Sequence, residues 1–241
     1  MTEKTVNFIN YAYRYPHDSS QSGYYERNSL EYYHVILKSV TVGEAAPKYK
    51  YIDVPYRNGK LDITDFFGDV TFDNRQIDME FIIPWQYGGD YARQYYSQMA
   101  SDIGGMKLKI VFASDDNWYY EGRCTVGSLS VSDGFFTFTI TMDAFPFKMQ
   151  DGKISGNSGT VLSQRMLSLI RVAGSGTLSS ASITNTTLGT TMTSDFLNTG
   201  GRIGLSATPR EIPDIYLTPG TNRISLSGGS GVTIYYRIGM L

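Results

Sequence analysis

The pattern that most constrains the fold lies in residues 129–142, where apolar and hydroxyl-bearing side chains alternate on either side of Asp133-Gly134. A period of two places each class of side chain on its own face of a β-strand. Asp-Gly is a preferred pair for the central positions of a tight hairpin turn. The pattern therefore predicts a β-hairpin that sets Val131 opposite Phe136.

One segment departs from this β pattern. Asp90 can cap a helix, and Gly104-Gly105 offers the left-handed conformation in which helices often end. Between them, large apolar side chains recur every fourth residue: Tyr91, Tyr95, Met99 and Ile103. This spacing favours a helix whose stripe packs against a sheet, rather than a ligand site.

Composition divides the chain near Asp151-Gly152. Residues 1–151 hold 14 Lys and Arg against 20 Asp and Glu, a net charge of −6, whereas residues 152–241 hold 7 against 3, a net charge of +4. Sixteen of the 19 tyrosines also precede residue 151. We therefore predict two domains, 1–151 and 152–241, in a mainly β protein: an N-terminal β-sandwich or half-open barrel with one α-helix, then a C-terminal β-sandwich or jelly roll.

The second part of the chain is rich in Gly, Ser and Thr. Two glycine clusters, Gly174-Ser175-Gly176 and Gly228-Gly229-Ser230-Gly231, match neither a P-loop nor a dinucleotide-binding fingerprint. We interpret both as turns, the second of them closing a hairpin.

A turn is also predicted at Asn58-Gly59, a pair suited to a type I′ turn in which both residues have positive φ. A plain hairpin there would face Arg57 with Lys60 and would require Pro55, which has no N–H, to donate to the ladder. We therefore expect this stretch to lie at a sheet edge or in a projecting loop.

The residues around this turn carry a family resemblance. Together with a following strand they resemble the N-terminal hub domain of the distal tail proteins of long-tailed, non-contractile bacteriophages and related prophage tail proteins. The positions that match are Val54, Pro55, Arg57, Gly59, Leu61 and Asp62, then Asn74, Arg75 and Ile77. Two later segments are similar to other parts of such tail components: Asp143-Ala144-Phe145-Pro146-Phe147 and Thr218-Pro219-Gly220-Thr221-Asn222-Arg223-Ile224.

The resemblance implies a structural virion protein at the tip of the phage tail. Such a protein forms an oligomeric ring, a hexamer by family analogy, that leaves a channel for DNA and connects the tail tube protein to the tail-tip and receptor-binding proteins. It also implies a galectin-like shape for the C-terminal domain. We name as candidate assembly-interface residues Val54, Pro55, Arg57, Asn58, Gly59, Asp62 and Arg75.

Other functions find less support in the residues. His17 and His34 are the only histidines and no Gly-x-Ser-x-Gly motif occurs, so we predict no catalytic residues. Cys124 is the only cysteine, and we expect a buried thiol, no zinc site and no cofactor. The acidic first part argues against tight nucleic-acid binding, and no apolar run is long enough to cross a membrane.

An alternative function remains open. The tyrosines and the expected C-terminal sandwich are compatible with a carbohydrate-binding module that attaches to host-surface glycans, because aromatic faces stack on sugars. Only Tyr216, Tyr235, Tyr236 and Phe196 are aromatic after residue 151, however. The tyrosines of the first part are more typical of protein interfaces.

Overall fold

The structure is a computed structural model that describes residues 5–10, 25–64, 70–84, 88–132, 134–164 and 167–241. Strands make up 59% of it and helices 9%, which confirms a mainly β fold. The described residues divide into two compact units, one of residues 5–10 and 25–146 and one of residues 147–241. Within the described ranges, no helix is long and apolar enough to span a membrane.

The first unit is built on one antiparallel sheet. In chain order its elements are β1 (Val6–Asn10), β2 (Tyr25–Asn28), β3 (Ile36–Val42), β4 (Tyr51–Ile52), β5 (Leu61–Asp62), β6 (Arg75–Ile83), α1 (Gly88–Ile103), β7 (Lys107–Phe112), β8 (Tyr120–Val126), β9 (Ser130–Ser132) and β10 (Phe135–Ala144). The sheet runs in the order β2-β1-β7-β8-β10-β6-β3, with β9 added to β10, while β4 and β5 pair only with each other in the described part of the chain.

Side chains buried at every second position of the strands form the core of this unit. Along β6 every second residue is buried, from Arg75 to Ile83, and the equivalent side chains of β10 cover the same core. The predicted hairpin is confirmed, because Val131 is the register partner of Phe136 and Gly134 has φ +77°. Asp133 lies outside the described residues.

The helix packs on this core as predicted, with two differences. Asp90 lies in the first turn of α1 rather than at its N-cap, and the helix ends where Gly105 takes φ +73°. Met99 and Ile103 are fully buried, but Tyr91 is 59% exposed. Tyr91 lies near the start of the helix, and there Ala92 takes the buried position instead.

The second unit is dominated by two long strands. Its elements are β11 (Lys148–Ser155), β12 (Ser158–Ser163), β13 (Ser168–Asn185), β14 (Thr190–Thr193), α2 (Asp195–Asn198), β15 (Ile203–Gly204), β16 (Arg210–Leu217) and β17 (Gly220–Met240). β13 and β17 pair with each other over most of their lengths, β11 and β12 lie beside β17, and β14, β15 and β16 lie beside β13. Buried side chains from both halves of each long strand join one cluster, so the halves enclose a β-sandwich core.

The prediction that the two glycine clusters are turns is wrong. Neither cluster reverses the chain: Ser175 pairs with Ser230 and Leu178 with Gly228, so each cluster lies inside a continuous strand. The register between β13 and β17 shifts three times across these residues, which marks a pair of bulged, bent strands. A Cβ on Gly228 would lie 2.4 Å from the Thr177 carbonyl oxygen. Glycine is required there because the strands approach closely. In a sequence, a glycine required by such a close approach looks the same as a glycine required by a turn.

The two units meet in sequence between Pro146 and Phe147. The compositional boundary at Asp151-Gly152 falls inside β11, whose register with β17 runs without interruption from Lys148 to Ser155. Asp151 belongs to the second unit by its contacts, because its carboxylate accepts a hydrogen bond of 2.8 Å from Arg237 Nε.

Candidate functional site: an exposed arm on the first unit

The predicted interface residues lie mainly on a projection that we call the arm, residues 43–64 and 70–74 between β3 and β6. It continues the pairing of β3 with β6 as a narrow two-stranded ribbon. The backbone hydrogen bonds across it run from Gly43 N to Gln76 O (2.8 Å), from Asp73 N to Ala46 O (2.8 Å), from Lys48 N to Thr71 O (2.8 Å) and from Ile63 N to Lys50 O (2.9 Å). Residues 65–69, which include Asp65 and Asp69, lie outside the described residues.

The arm ends in an eight-residue loop, residues 53–60, that is exposed throughout. Ile52 pairs with Leu61, so the loop is longer than a tight hairpin turn. The type I′ turn predicted at Asn58-Gly59 is wrong, because Gly59 has φ +77° whereas Asn58 is not among the residues with positive φ. The tight turn lies earlier, where Arg57 N donates to the Val54 carbonyl oxygen at 3.2 Å.

Tyr56 occupies the most unusual position of this loop. It follows Pro55 in the turn and has φ +65°, an arrangement that resembles a type II turn, in which glycine normally fills the second central position. A bulky residue in the left-handed region carries a strain of about 1–3 kcal/mol. Its side chain is fully exposed, with a relative accessibility of 110%, so no packing in the described part of the chain offsets that strain.

Apolar side chains cover both faces of the ribbon. On one face Tyr49 and Tyr51 are exposed, with ring centroids 6.2 Å apart. On the other face Ile52 is exposed beside its partner Leu61. A two-stranded ribbon is marginally stable in water by itself, and exposed apolar patches of this kind mark sites of protein contact.

Charges on the arm are mixed and weakly paired. Lys48 lies 3.0 Å from Asp73 and Lys60 lies 3.7 Å from Asp53, and all four side chains are exposed. The Asp62 carboxylate accepts hydrogen bonds from the Thr64 hydroxyl and the Thr64 N–H, which lowers the pKa of this carboxyl below its usual value. Exposed ion pairs contribute little stability, so these charges are free to adapt to a partner.

The structure separates the candidate residues into two places. Val54, Pro55, Arg57, Asn58 and Gly59 share the loop, and Asp62 lies beside it on β5. Arg75 lies apart at the start of β6, where only 7% of its surface is exposed. The arm therefore gathers six of the seven residues, and the seventh is part of the core.

Arg75 lies at the end of the core-facing row of the sheet. Its register partner is Ala144, whose own partner on the next strand is Gly122. The guanidinium carbon lies 5.9 Å from the centre of the Tyr120 ring, and Nε is buried with no acceptor in the described structure. Burial raises the pKa of the Tyr120 hydroxyl, whereas the positive charge of Arg75 and a hydrogen bond between the two side chains oppose that shift.

The second sequence motif, Thr218 to Ile224, forms a closed network in the second unit. Asn222 is fully buried: its amide nitrogen donates to the carbonyl oxygens of Thr218 and Gly220, at 2.7 and 2.9 Å. Its amide oxygen accepts from the Thr218 N–H at 3.1 Å. The network satisfies the turn between β16 and β17, so this motif is explained by the fold of the unit.

Asn185 completes this network, a role that the sequence patterns did not predict. It pairs with Asn222 in the ladder, donates to the Thr218 hydroxyl at 2.6 Å and accepts from two backbone N–H groups of the next turn. A buried asparagine at a strand end is a turn-forming signal, but its partner lies 37 positions away, a contact that no local pattern predicts.

The residues that the sequence offers as metal ligands or catalytic groups are its acidic side chains, its two histidines and Cys124. In the part of the chain that the structure describes, no three His, Cys, Asp or Glu side chains are placed to share a metal ion. His34 packs against the Tyr95 ring at 4.7 Å, whereas His17 lies outside the described residues. Cys124 is buried, and burial raises the pKa of its thiol to about 12.

The fold is similar to one found in a solved structure. The crystal structure of SPP1 Dit (gp 19.1), described as a paradigm of the hub adsorption apparatus in phages that infect Gram-positive bacteria, matches 89% of this chain and 96% of that chain, with a TM-score of 0.58 and 12% identity. At this identity the likeness shows a shared fold, which is the fold that the sequence resemblance implies. No protein-family model and no curated protein matches the sequence.

Proposed function

We propose that this protein is a structural hub of a phage tail tip, which forms a ring by head-to-tail contacts between copies and connects the tail tube to the tail-tip and receptor-binding proteins. The observation that carries the proposal is the arm, an exposed apolar ribbon on a fold shared with a tail hub protein. The sequence resemblance, which rests on residues of that same arm, supports it independently.

The sheet edge beside the arm extends the proposed interface. Residues 38–42 of β3 are all exposed, although Val40 and Val42 belong to an apolar alternation. In the described structure β3 pairs only with β6, so no strand lies along its other edge there. Proteins usually protect such an edge, and a neighbouring chain is one means of protection. Edge and arm are continuous in sequence, so one neighbour can cover both.

Ring closure follows from the kind of contact. If the arm of each copy meets a different surface on the next copy, the interface is heterologous, and a heterologous interface generates a closed ring when the rotation between copies divides a full turn. Six copies is the number that the family resemblance implies. We place this ring in the virion, at the distal end of the tail tube.

A channel for DNA sets a condition on charge. Residues 1–151 carry a net charge of −6, which suits a lumen through which DNA passes without being retained. A basic lumen would bind the phosphate backbone instead. A map of the assembled ring in which Lys and Arg line the channel would remove this part of the proposal.

Light scattering and electron microscopy of the purified protein test the proposal. We expect a concentration-dependent ring in the wild-type protein, and monomers when Tyr49 and Tyr51 on the arm are both replaced by Ser. Tyr91→Ser is the matched control, because Tyr91 is equally exposed but lies on α1, away from the arm. A wild-type protein that stays monomeric at millimolar concentration and on isolated tail tubes would contradict the ring.

A further inference from the structure

The loop at the arm tip contains a chemically reactive pair of residues. Asn58-Gly59 is the one Asn-Gly pair in the sequence. In such a pair the backbone nitrogen of glycine attacks the side-chain amide carbon of asparagine and closes a five-membered succinimide ring, a reaction that is fast because both groups belong to one short stretch of chain. Glycine has no Cβ to obstruct the approach, and its backbone rotates more freely than that of any other residue.

The structure leaves both reacting groups unrestrained. Asn58 and Gly59 are exposed, and in the described part of the chain neither the Gly59 N–H nor the Asn58 side chain forms a hydrogen bond. The last backbone hydrogen bond before them is donated by Arg57, and strand pairing resumes only at Leu61. No atom lies within 4 Å of the place that a Cβ on Gly59 would take. The pair is therefore open to solvent and able to rotate into the geometry of attack.

The fold holds two comparable pairs of the second unit in place. In Asp151-Gly152 the glycine lies in the ladder with β17, and the Asp151 carboxylate accepts a hydrogen bond from Arg237. In Asn198-Thr199 the asparagine is exposed, but the Thr199 N–H donates to the Asp195 carbonyl oxygen at 3.0 Å. A nitrogen that is already hydrogen-bonded must first lose that bond before it can attack. These two sites therefore lack the freedom of the arm tip.

We propose that Asn58 is a site of spontaneous deamidation that limits the time for which a free copy of this chain can assemble. The Gly59 nitrogen loses its proton to water or hydroxide and bonds to the Asn58 amide carbon, the bond from that carbon to the side-chain nitrogen breaks, and ammonia leaves. Water then opens the succinimide at either carbonyl, which gives aspartate or isoaspartate. Each product carries one additional negative charge, and isoaspartate adds one methylene to the backbone.

The effect on assembly rests on the proposed ring. The arm tip, residues 53–60, holds Arg57 and Lys60 against Asp53, a net charge of +1, whereas residues 1–151 as a whole carry −6. A cationic tip is attracted to the acidic unit of a neighbouring copy. Deamidation makes the tip neutral and, as isoaspartate, changes the course of its backbone. A tip that is already covered by a neighbour is shielded from water, so assembled copies keep Asn58 intact.

Mass spectrometry of the dilute wild-type protein tests the chemistry without reference to a ring. The folded protein is stored in heavy-oxygen water at mildly alkaline pH and then digested with chymotrypsin in ordinary water. The peptide of residues 57–61 reports the label, and isoaspartyl methyltransferase identifies isoaspartate. We expect a rate within about 3-fold of that in a synthetic peptide of residues 53–61, because the fold does not restrain the pair. A folded protein that reacts about 10-fold or more slowly than the peptide would overturn the proposal.

Two substitutions and one internal site are the controls. Gly59→Ala keeps the amide but places a Cβ beside the attacking nitrogen, and we expect the rate to fall about 10-fold or more, which corresponds to about 1.4 kcal/mol in the barrier. An unchanged rate in this variant would show that the Gly59 nitrogen is not the nucleophile. Asn58→Ser removes the amide, so no label should enter the same peptide. Asn198 in the same folded sample should also stay unlabelled.

Analytical ultracentrifugation of stored samples tests the consequence for assembly. We expect stored wild-type protein to associate about 10-fold more weakly than fresh protein, in proportion to the modified fraction. Asn58→Ser should keep its own starting affinity on storage, whatever that affinity is. Modified chains that associate as well as fresh ones would overturn the limit on assembly, and so would Asn58 that reacts as fast in purified rings as in the dilute monomer. A wild-type protein that never associates would contradict the proposed ring, while label at Asn58 would still establish the modification.

Discussion

The arm tip and the turn between β16 and β17 both contain a proline, and both were singled out in the sequence, yet the structure treats them in opposite ways. The turn is closed by Asn222 and Asn185, which are fully buried and fully hydrogen-bonded. The arm tip leaves Tyr56 strained and its apolar neighbours exposed. A motif that satisfies its own groups serves the fold, whereas a motif that leaves them unsatisfied points to a partner.

The largest effect should come from the closed turn. Asn222→Ala removes the donors and the acceptor that hold residues 218–220, and it leaves the half-buried carbonyl oxygens of Thr218 and Gly220 without these partners. We expect a loss of about 3 kcal/mol in the free energy of unfolding, measured by urea denaturation. Asn198→Ala, at an exposed position of the same unit, should stay within about 0.5 kcal/mol of the wild-type protein. Equal losses in the two variants would show that the Asn222 network does not hold the turn, and the contrast with the arm would fail.

The bend in the long strands should be the next most sensitive position. Gly228→Ala combines a strained φ of +90° with a clash against the Thr177 carbonyl oxygen, and we expect a loss of about 2–3 kcal/mol. Gly189→Ala isolates the strain, since its φ is +67° but no atom lies within 4 Å of the added Cβ, and it should cost about 1–2 kcal/mol. Thermal unfolding of both variants measures the difference, and its absence would refute the close approach of β13 and β17.

A substitution on the arm should weaken self-association without lowering the stability of the fold. Tyr56→Gly relieves a left-handed tyrosine but increases the freedom of the unfolded chain, so we expect stability to change by no more than about 1 kcal/mol, with a gain favoured. Self-association should fall at least 10-fold, because the exposed ring is lost. Analytical ultracentrifugation measures the second effect. A variant that loses stability while associating normally would assign Tyr56 to the fold instead.

The smallest effect concerns the core of the first unit, which contains Cys124. The pKa of the Cys124 thiol is raised to about 12, so at pH 8 only about 1 in 10,000 native thiols is ionised, against about a quarter in an unfolded chain with a pKa near 8.5. We expect a thiol reagent to modify the native protein only as fast as the first unit unfolds. Tyr56→Gly should leave that rate unchanged. Rapid modification at pH 8 would show that the core is open as well as the arm.

Local patterns predicted the parts of the fold that local interactions determine. The hairpin through Val131 and Phe136 and the end of α1 at Gly105 depend on residues a few positions apart, and both agree with the structure. The bend at Gly228 depends on a close approach to Thr177, about fifty positions earlier. A glycine cluster looks the same in sequence whether it serves a turn or such a bend.

The location of the candidate site was also predicted from residues that lie close together in the sequence. Six of its residues are contiguous or nearly so, and the structure gathers them on the arm. Arg75 was grouped with them by its place in the motif, but its side chain follows the period-two pattern of β6 into the core. The positive φ of Tyr56 rather than Asn58 could not be foreseen, because it depends on the length of the whole loop between Ile52 and Leu61.

The ladder between β11 and β17 has a mechanical consequence. Lys148 pairs with Met240, so the chain enters the second unit beside the end of its last strand. A tensile load between these two points opens the ladder one residue pair at a time, as a zipper opens. A load between Lys148 and Thr233, which lie at opposite ends of the ladder on the two strands, acts along both strands and must shear all of the registered pairs together. The second unit is therefore weak when peeled from its terminal strand and strong when pulled along its length.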